Sequence, residues 1–291
     1  MTGLSKPLFN KCCILGMGLM GGSMGIALGK YGLVRNRWGY DINAKAAKLA
    51  VKREAIDYCG DLYHCLTGSE LVILALPVRA IIKFLQTIGP QLQPGTLVTD
   101  LGSTKKEIVQ TMNQCLPAKV WGIGGHPIAG SEKSGIAFAD SKLLENAVYI
   151  LTPGKMTPHR LVLKLVKMIR TIHARPLIMG ANKHDHFTAL LSHLPHLIAT
   201  ALSGMLHHYG ENDDLFRNLA GSGFKDTTRI AMGDDSIWYD IFLSNKIHLR
   251  KFLNKFKNEL DLLYNYLEQE DEGESKRRLR QAAVLRKQLN L

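Results

Sequence analysis

Between Cys12 and about Gly180 the chain alternates short, unbroken apolar runs with longer stretches whose apolar residues recur at helical spacing. Cys12–Leu15, Arg37–Asp41, Leu71–Leu76, Thr96–Asp100, Val120–Gly125, Ala147–Leu151 and Arg175–Met179 read as strands. Runs that stay apolar on both faces, such as Leu71-Val72-Ile73-Leu74-Ala75-Leu76, suit parallel strands covered by helices on either side. Helices are predicted after Gly21, over Val78–Gln86, from Lys105 to Met112 and over Pro158–Ile172. This alternation predicts an α/β fold with a doubly wound parallel sheet, whose ligands sit in the crevice outside the strands' C-terminal ends.

Beyond Gly180 the strand signal stops. Lys183–Tyr209, Leu215–Ala220, Asp226–Met232, Ser236–Leu267 and Ser275–Leu289 all read as helices. Asn212-Asp213-Asp214 and Asp234-Asp235-Ser236 have the composition of N-caps, and Glu268–Glu274 is an acidic break. The expected organisation is an N-terminal Rossmann-type domain, 1–180, followed by an all-helical domain, 181–291. Broad apolar faces there (Phe242, Leu243, Ile247, Leu249, Phe252) suggest packing against a partner subunit.

The first predicted strand ends in Gly16-Met17-Gly18-Leu19-Met20-Gly21, a G-x-G-x-x-G spacing at a strand-to-helix turn. Gly16 permits the turn, Gly18 lets a pyrophosphate approach the backbone, and Gly21 lets helix and strand pack closely. The pyrophosphate then meets the unpaired N–H groups of the helix start. Asp41 ends the next strand 20 residues past Gly21, where a carboxylate binds the adenosine ribose hydroxyls. It repels a 2′-phosphate and no Arg follows directly, so NAD is expected over NADP. An ordinary βαβ turn with Asp41 capping a helix is the plainer alternative.

Composition narrows the class only modestly. With 46% apolar and 21% charged residues the chain is an ordinary globular protein, and no apolar run is long enough to span a bilayer. Met1–Lys11 lacks the apolar segment of a secretory signal. Five cysteines without a C-x-x-C pair point to small hydrophobes in a reducing cytoplasm rather than to zinc or disulfides. The net charge of +12 fits either a nucleic-acid binder or an enzyme with anionic substrate and cofactor. The one dense basic run, Lys276–Arg280, reads as a solvated helix face.

Three stretches carry candidate chemistry. Ser103, following a strand and a glycine, can reach a nicotinamide edge or simply cap a helix. His126 lies in Gly124-Gly125-His126-Pro127-Ile128-Ala129-Gly130-Ser131-Glu132, read as a loop beyond a strand. Its imidazole can take a hydroxyl proton while hydride leaves the same carbon. In Ser192-His193-Leu194-Pro195-His196, Ser192 and His196 share an α-helical face, with His193 turned away by about 100°. His184, His186, His207 and His208 are close in sequence, but no metal is expected, because ligand spacing and carboxylates are missing. Arg229, on a helix opened by Gly221-Ser222-Gly223, suits a carboxylate clamp.

Together these motifs, in this order and over nearly the whole chain, resemble the prephenate/arogenate dehydrogenase family. The resemblance implies oxidative decarboxylation of a cyclohexadienol in tyrosine biosynthesis, with hydride passing to NAD. It implies His126 as the catalytic residue accepting the C4-hydroxyl proton, with Ser103 orienting it. Arg229 would hold the ring carboxylate, and Ser192, His196, Ser131 and Glu132 would face the substrate. The cofactor would lie along Gly16, Met17, Gly18, Leu19, Met20, Gly21, Asp41, Leu76, Pro77 and Ser103. A cytoplasmic homodimer through the helical domain is implied, with Trp238 reaching into the neighbouring subunit's pocket, and neither nucleic acid nor membrane as partner. The competing readings are a 3-hydroxyacid dehydrogenase, for which Lys183 is the nearest candidate lysine, and a non-enzymatic NAD-sensing or nucleic-acid-binding protein.

Overall fold

The computed structural model describes residues 6–131, 133–206 and 214–289. Its strands are β1 (Phe9–Leu15), β2 (Val34–Tyr40), β3 (Tyr58–Cys59), β4 (Leu71–Leu74), β5 (Leu97–Asp100), β6 (Trp121–Pro127), β7 (Val148–Pro153) and β8 (Arg175–Ile178). They form one sheet in the order β3-β2-β1-β4-β5-β6-β7-β8. Every neighbouring pair is parallel except β6 and β7, which run antiparallel. That one reversal departs from the all-parallel expectation. No helix separates these two strands, only two short 3₁₀ turns at Ile136–Phe138 and Ser141–Leu144, so the chain folds directly back.

Alternate residues of the central strands feed opposite faces. Cys12, Ile14, Leu71 and Ile73 join one core cluster, covered by α1 (Leu19–Lys30) and α6 (His159–Thr171). Cys13, Leu15, Val72 and Leu74 join the other, covered by α3 (Leu62–Leu66), α4 (Val78–Thr87) and α5 (Lys106–Cys115). The remaining helix of this half, α2 (Ala44–Lys52), is capped by the Asn43 side chain. Cys12 and Cys13 are buried in the core.

Register brings the future site together. Leu15 pairs with Tyr40 and Leu74, and Leu74 pairs with Asp100. The segments that follow these residues, Gly16, Asp41, Ala75 and Leu101, therefore emerge along one edge of the sheet.

The turn after β1 is built on close approach. Gly16 has φ +95°, and a Cβ there would lie 2.2 Å from the Ala75 carbonyl oxygen. A Cβ on Gly21 would lie 1.9 Å from the Gly16 carbonyl oxygen, so helix and turn touch backbone to backbone. Gly18, the N-cap of α1, has nothing within 4 Å of its Cβ position. Two of the three glycines thus serve packing, while the third faces open space.

After Gly180 the described chain is helical: α7 (Ala181–Thr188), a π turn (Ala189–His193), α8 (Leu194–Gly204), α9 (Asp214–Leu219), α10 (Ser222–Thr228), α11 (Asp235–Ser244), α12 (Lys246–Glu268) and α13 (Glu272–Gln288). The single helix expected over Ser236–Leu267 is broken at Asn245, whose side chain bonds the Asp185 carbonyl instead of solvent. Asp234 caps α11, as its composition suggested. The last part of the stretch read as Lys183–Tyr209, the histidines His207 and His208, and the expected capping residues Asn212 and Asp213 lie outside the described residues.

By spatial contact the chain divides into one unit ending at Asn245 and another from Lys246. In the second unit, Lys276, Arg277 and Arg278 of the basic run pair with Glu272, Glu274 and Glu259, which lowers its effective charge. Its helices leave Leu260, Leu263, Leu267 and Leu285 exposed. No described helix is long and apolar enough to cross a membrane.

The contrast within the turn gives an expected outcome. Gly16→Ala should lower folding stability by about 2–4 kcal/mol, since it combines a positive φ with a backbone collision. Gly18→Ala should change it by less than about 1 kcal/mol. Urea unfolding midpoints of the two variants check this.

Candidate active site

At the dinucleotide end, Asp41 follows β2 and accepts the Met17 N–H at 2.7 Å through Oδ2. Its Oδ1 accepts the Asn43 N–H at 2.7 Å. The carboxylate thereby ties the glycine turn to the second strand. The cap of α2 is the Asn43 side chain, not Asp41. Helix α1 starts at Gly18 without any side-chain cap and without an acid in its first turn, so its N–H groups are available to an anion. Met17 is buried, Leu19 and Met20 are half-buried at the helix start, and Leu76 lies beside Gly16 with Pro77 exposed after it. Open space at Gly18, an uncapped helix start and a carboxylate at the β2 end fit a dinucleotide.

Asp100, fully buried at the end of β5, organises the next segment. Its Oδ1 accepts the Gly125 N–H at 3.0 Å, and its Oδ2 accepts the Gly102 N–H at 2.9 Å and the buried ammonium of Lys105. Gly125 precedes His126 and Gly102 precedes Ser103, so one carboxylate sets the backbone beside both. Burial lowers the Lys105 pKa from its ordinary value, opposed by Asp100. The Tyr149 hydroxyl is raised, first by burial and then by Asp100.

His126 is placed differently from the sequence expectation. It belongs to strand β6, not to a loop, because antiparallel pairing with Ile150 of β7 extends the strand through Pro127. A rigid ladder therefore aims the imidazole. Its Nδ1 lies 2.8 Å from Nε2 of His184, and His184 Nδ1 lies 2.7 Å from Oδ1 of Asp185. Burial, then the neighbouring His184, Lys105 and His193, holds the His126 pKa well below its ordinary value, so the ring is neutral at pH 7.

A cavity of about 690 Å³ opens in front of it. Ser103, His126, Ser131, Ser192, Arg229 and Trp238 all line it. Ile150, Leu177, Phe187, Leu191 and Ile241 add apolar wall. Arg229 opens the 3₁₀ turn Arg229–Met232 after α10, not the middle of a helix, and its side chain is exposed. The resemblance implies that Trp238 reaches into a neighbouring subunit; within its own chain it lines this cavity. Glu132 lies outside the described residues. Lys183, the lysine of the hydroxyacid reading, is exposed and absent from the lining.

His196 does not face the cavity. It is buried behind Trp238, the two rings stacked at 3.5 Å between centroids. His193, expected to turn away, lines the cavity instead. Stacking on the Trp238 ring holds His196 behind it, while the π turn at Ala189–His193 carries both Ser192 and His193 to the cavity wall. His193 Nδ1 lies 3.1 Å from Asn245 Nδ2, and burial lowers its pKa to about 4. His184 and Asp185 were also missed as site residues: nothing in the local pattern marks them as partners of a β6 histidine. Among the described residues no group of His, Cys, Asp or Glu is arranged to hold a metal ion.

Comparison with known proteins bears directly on this geometry. Residues 24–178 match the family model described as prephenate dehydrogenase, nucleotide-binding domain, and residues 180–281 the one described as prephenate dehydrogenase, dimerization domain. The prephenate dehydrogenase of Bacillus subtilis is 36% identical over 260 residues, covering 89% of this chain and 70% of that protein. The crystal structure of prephenate dehydrogenase from A. aeolicus, in complex with hydroxyphenyl propionate and NAD+, superposes with a TM-score of 0.89 at 33% identity, covering 99% of this chain and 100% of the other. The Synechocystis arogenate dehydrogenase structure gives 0.81 at 29% identity, covering 96% and 99%.

The histidine environment has a pH consequence. Burial lowers the pKa values of His126, His193 and His196 below the ordinary 6.5, so the folded chain refuses protons that the unfolded chain accepts. Stability should be full above about pH 6.5 and fall as the pH drops below it, the His193 share of the loss levelling off near pH 4. Urea midpoints at pH 7.5, 6 and 5 check the trend, and His193→Gln should shrink it.

Proposed function

The chain belongs to the prephenate dehydrogenase family, and from that premise we propose that it converts prephenate to 4-hydroxyphenylpyruvate, or arogenate to tyrosine, by oxidative decarboxylation with NAD in tyrosine biosynthesis. The observation that carries this reading is a cavity lined together by a neutral strand histidine, a serine and an arginine.

In this reading His126 accepts the proton of the C4 hydroxyl as that carbon becomes a carbonyl centre. The C4 hydrogen leaves with its electron pair, the ring carboxylate leaves as CO2, and the electrons of the broken C–C bond restore the aromatic ring. NAD, held by the glycine turn, supplies the hydride acceptor. Ser103, which lines the same cavity, would bridge the substrate oxygen and His126. Arg229 receives a carboxylate in a bidentate pair, and Ser192, His193 and Ser131 offer further polar contacts. Aromatisation provides the driving force, so the protein's task is to place proton acceptor, hydride path and carboxylate together. Asp41, at the ribose position, favours NAD over NADP.

The apolar surface of α12 and α13 and the match to a dimerization domain support a homodimer through the helical region. Five free cysteines suit a cytoplasmic location. Functionally, we assign 1–180 to the dinucleotide and 181–291 to substrate and dimer, although residues up to Asn245 are contiguous with the sheet.

NADH or NADPH formation, followed with prephenate and with arogenate, tests the reading. Turnover is expected with NAD and at least one substrate; none in any pairing would refute it. His126→Asn should cost about 10²–10⁴-fold in kcat while sparing NAD binding. Arg229→Ala should lower kcat/KM by about 10–100-fold, chiefly through KM. Because the His126 base form already predominates at neutral pH, kcat/KM should be flat there and fall only on acidification well below pH 6.5.

A further inference from the structure

Behind His126 lie a second imidazole and a carboxylate, neither of which has to touch substrate in the chemistry above. We propose that His184 and Asp185 are positioning residues: they hold His126 with its proton on Nδ1 and its Nε2 lone pair free for the substrate hydroxyl, and they stabilise the imidazolium formed there. This rests on the dehydrogenase reading of the site.

The argument starts from backbone amides. Helix α5 receives no cap from its own N-cap residue, Lys105. Asp185 of α7 does that work from another element: Oδ1 accepts the Lys105 N–H at 2.7 Å and Oδ2 the Lys106 N–H at 2.9 Å. Amide N–H groups only donate, so both carboxylate oxygens must accept, and the helix dipole favours the anion. Asp185 is only 1% exposed and cannot exchange these partners for water.

Polarity then propagates. Facing an acceptor at 2.7 Å, His184 Nδ1 must donate. Two ring nitrogens 2.8 Å apart need one donor and one acceptor; with its one proton on Nδ1, His184 accepts at Nε2 and His126 Nδ1 donates. The lone pair of His126 is left on Nε2. A free histidine side chain favours the opposite tautomer, with its proton where the base must be vacant. The amides of α5 therefore decide, two rings away, which nitrogen of His126 can act as base.

Charge accounting supports the second half of the proposal. Before proton transfer the three groups carry one negative charge, on Asp185; afterwards the His126 imidazolium and Asp185 cancel. Other titratable groups close by offer no such compensation. Lys105 from the β5–α5 segment is paired with Asp100, and His193 from the π turn is uncharged at pH 7. The Tyr149 phenol from β7 stays protonated. His184 is fully buried, so water does not replace it.

Nitrogen-15 NMR of the ligand-free wild-type protein tests the tautomer without any activity. Both His126 and His184 should carry their proton on Nδ1; a proton on Nε2 of His126 overturns the proposal. Kinetics test the consequence. His184→Leu should lower kcat by about 10²-fold with KM for substrate and Kd for NAD within about twofold. His184→Gln, whose carbonyl can accept from His126 Nδ1, should recover about tenfold of that loss. A His184→Leu enzyme with wild-type kcat, or equal losses in both variants, overturns the role. Wild-type protein with the expected tautomers but no turnover would instead refute the dehydrogenase reading, so the two failures are distinguishable.

Discussion

The carboxylate of Asp100 is the constraint on which the site depends. Buried at the end of β5, it accepts the Gly102 and Gly125 amides and neutralises the Lys105 ammonium. A buried carboxylate without such partners would be costly, and so would a buried ammonium. Each charge is tolerated because the other is present, and the two amides complete the carboxylate's needs. Their side effect is to pin the backbone on either side of Ser103 and His126. The fold therefore holds its two central polar side chains through main-chain atoms, which do not change when side chains elsewhere do.

A second layer of the same design lies at the start of α5. Asp185 arrives from the first helix after the sheet and caps α5 in place of any local residue. Asn245, ending α11, bonds the Asp185 carbonyl at 2.7 Å, and Ser244 meets Thr104 at 2.9 Å. Arg79 of α4 bonds Asp240 of α11 at 2.5 Å. These polar ties join the post-sheet helices to the C-terminal ends of the strands, where the crevice of an open α/β sheet opens. They also close one wall of the cavity with Trp238, whose ring is backed by His196. Burial keeps His126 and His193 poor in water and therefore neutral.

How much of this could be read from the chain alone follows physical lines. Local rules worked where local physics dominates. Apolar runs announced the strands, and the glycine spacing announced the turn, because close backbone approach leaves no substitute for glycine. Asp41 was found at a strand end, and the capping of α11 by Asp234 came from composition. Ser103, His126, Ser131, Ser192, Arg229 and Trp238 were singled out and share one cavity. What failed were statements about direction. The glycines around His126 read as a loop, because the antiparallel return of β7 is not visible in the sequence there. A shared α-helical face does not bring Ser192 and His196 to the cavity together, because the stacking of His196 on Trp238 is not visible in local spacing.

The sequence by itself thus determined the alternating fold, the dinucleotide turn, the helical second half and the identity of most polar groups at the site. Those features depend on neighbours within a few residues, or on motifs whose spacing is itself the mechanism. Only the tertiary structure decided which rings line the cavity, that His196 stacks behind Trp238, and that Asp185 reaches across to α5. These outcomes depend on strand pairing, helix phase and long-range hydrogen bonds. Each is set by atoms far apart in the chain, and no local pattern encodes them.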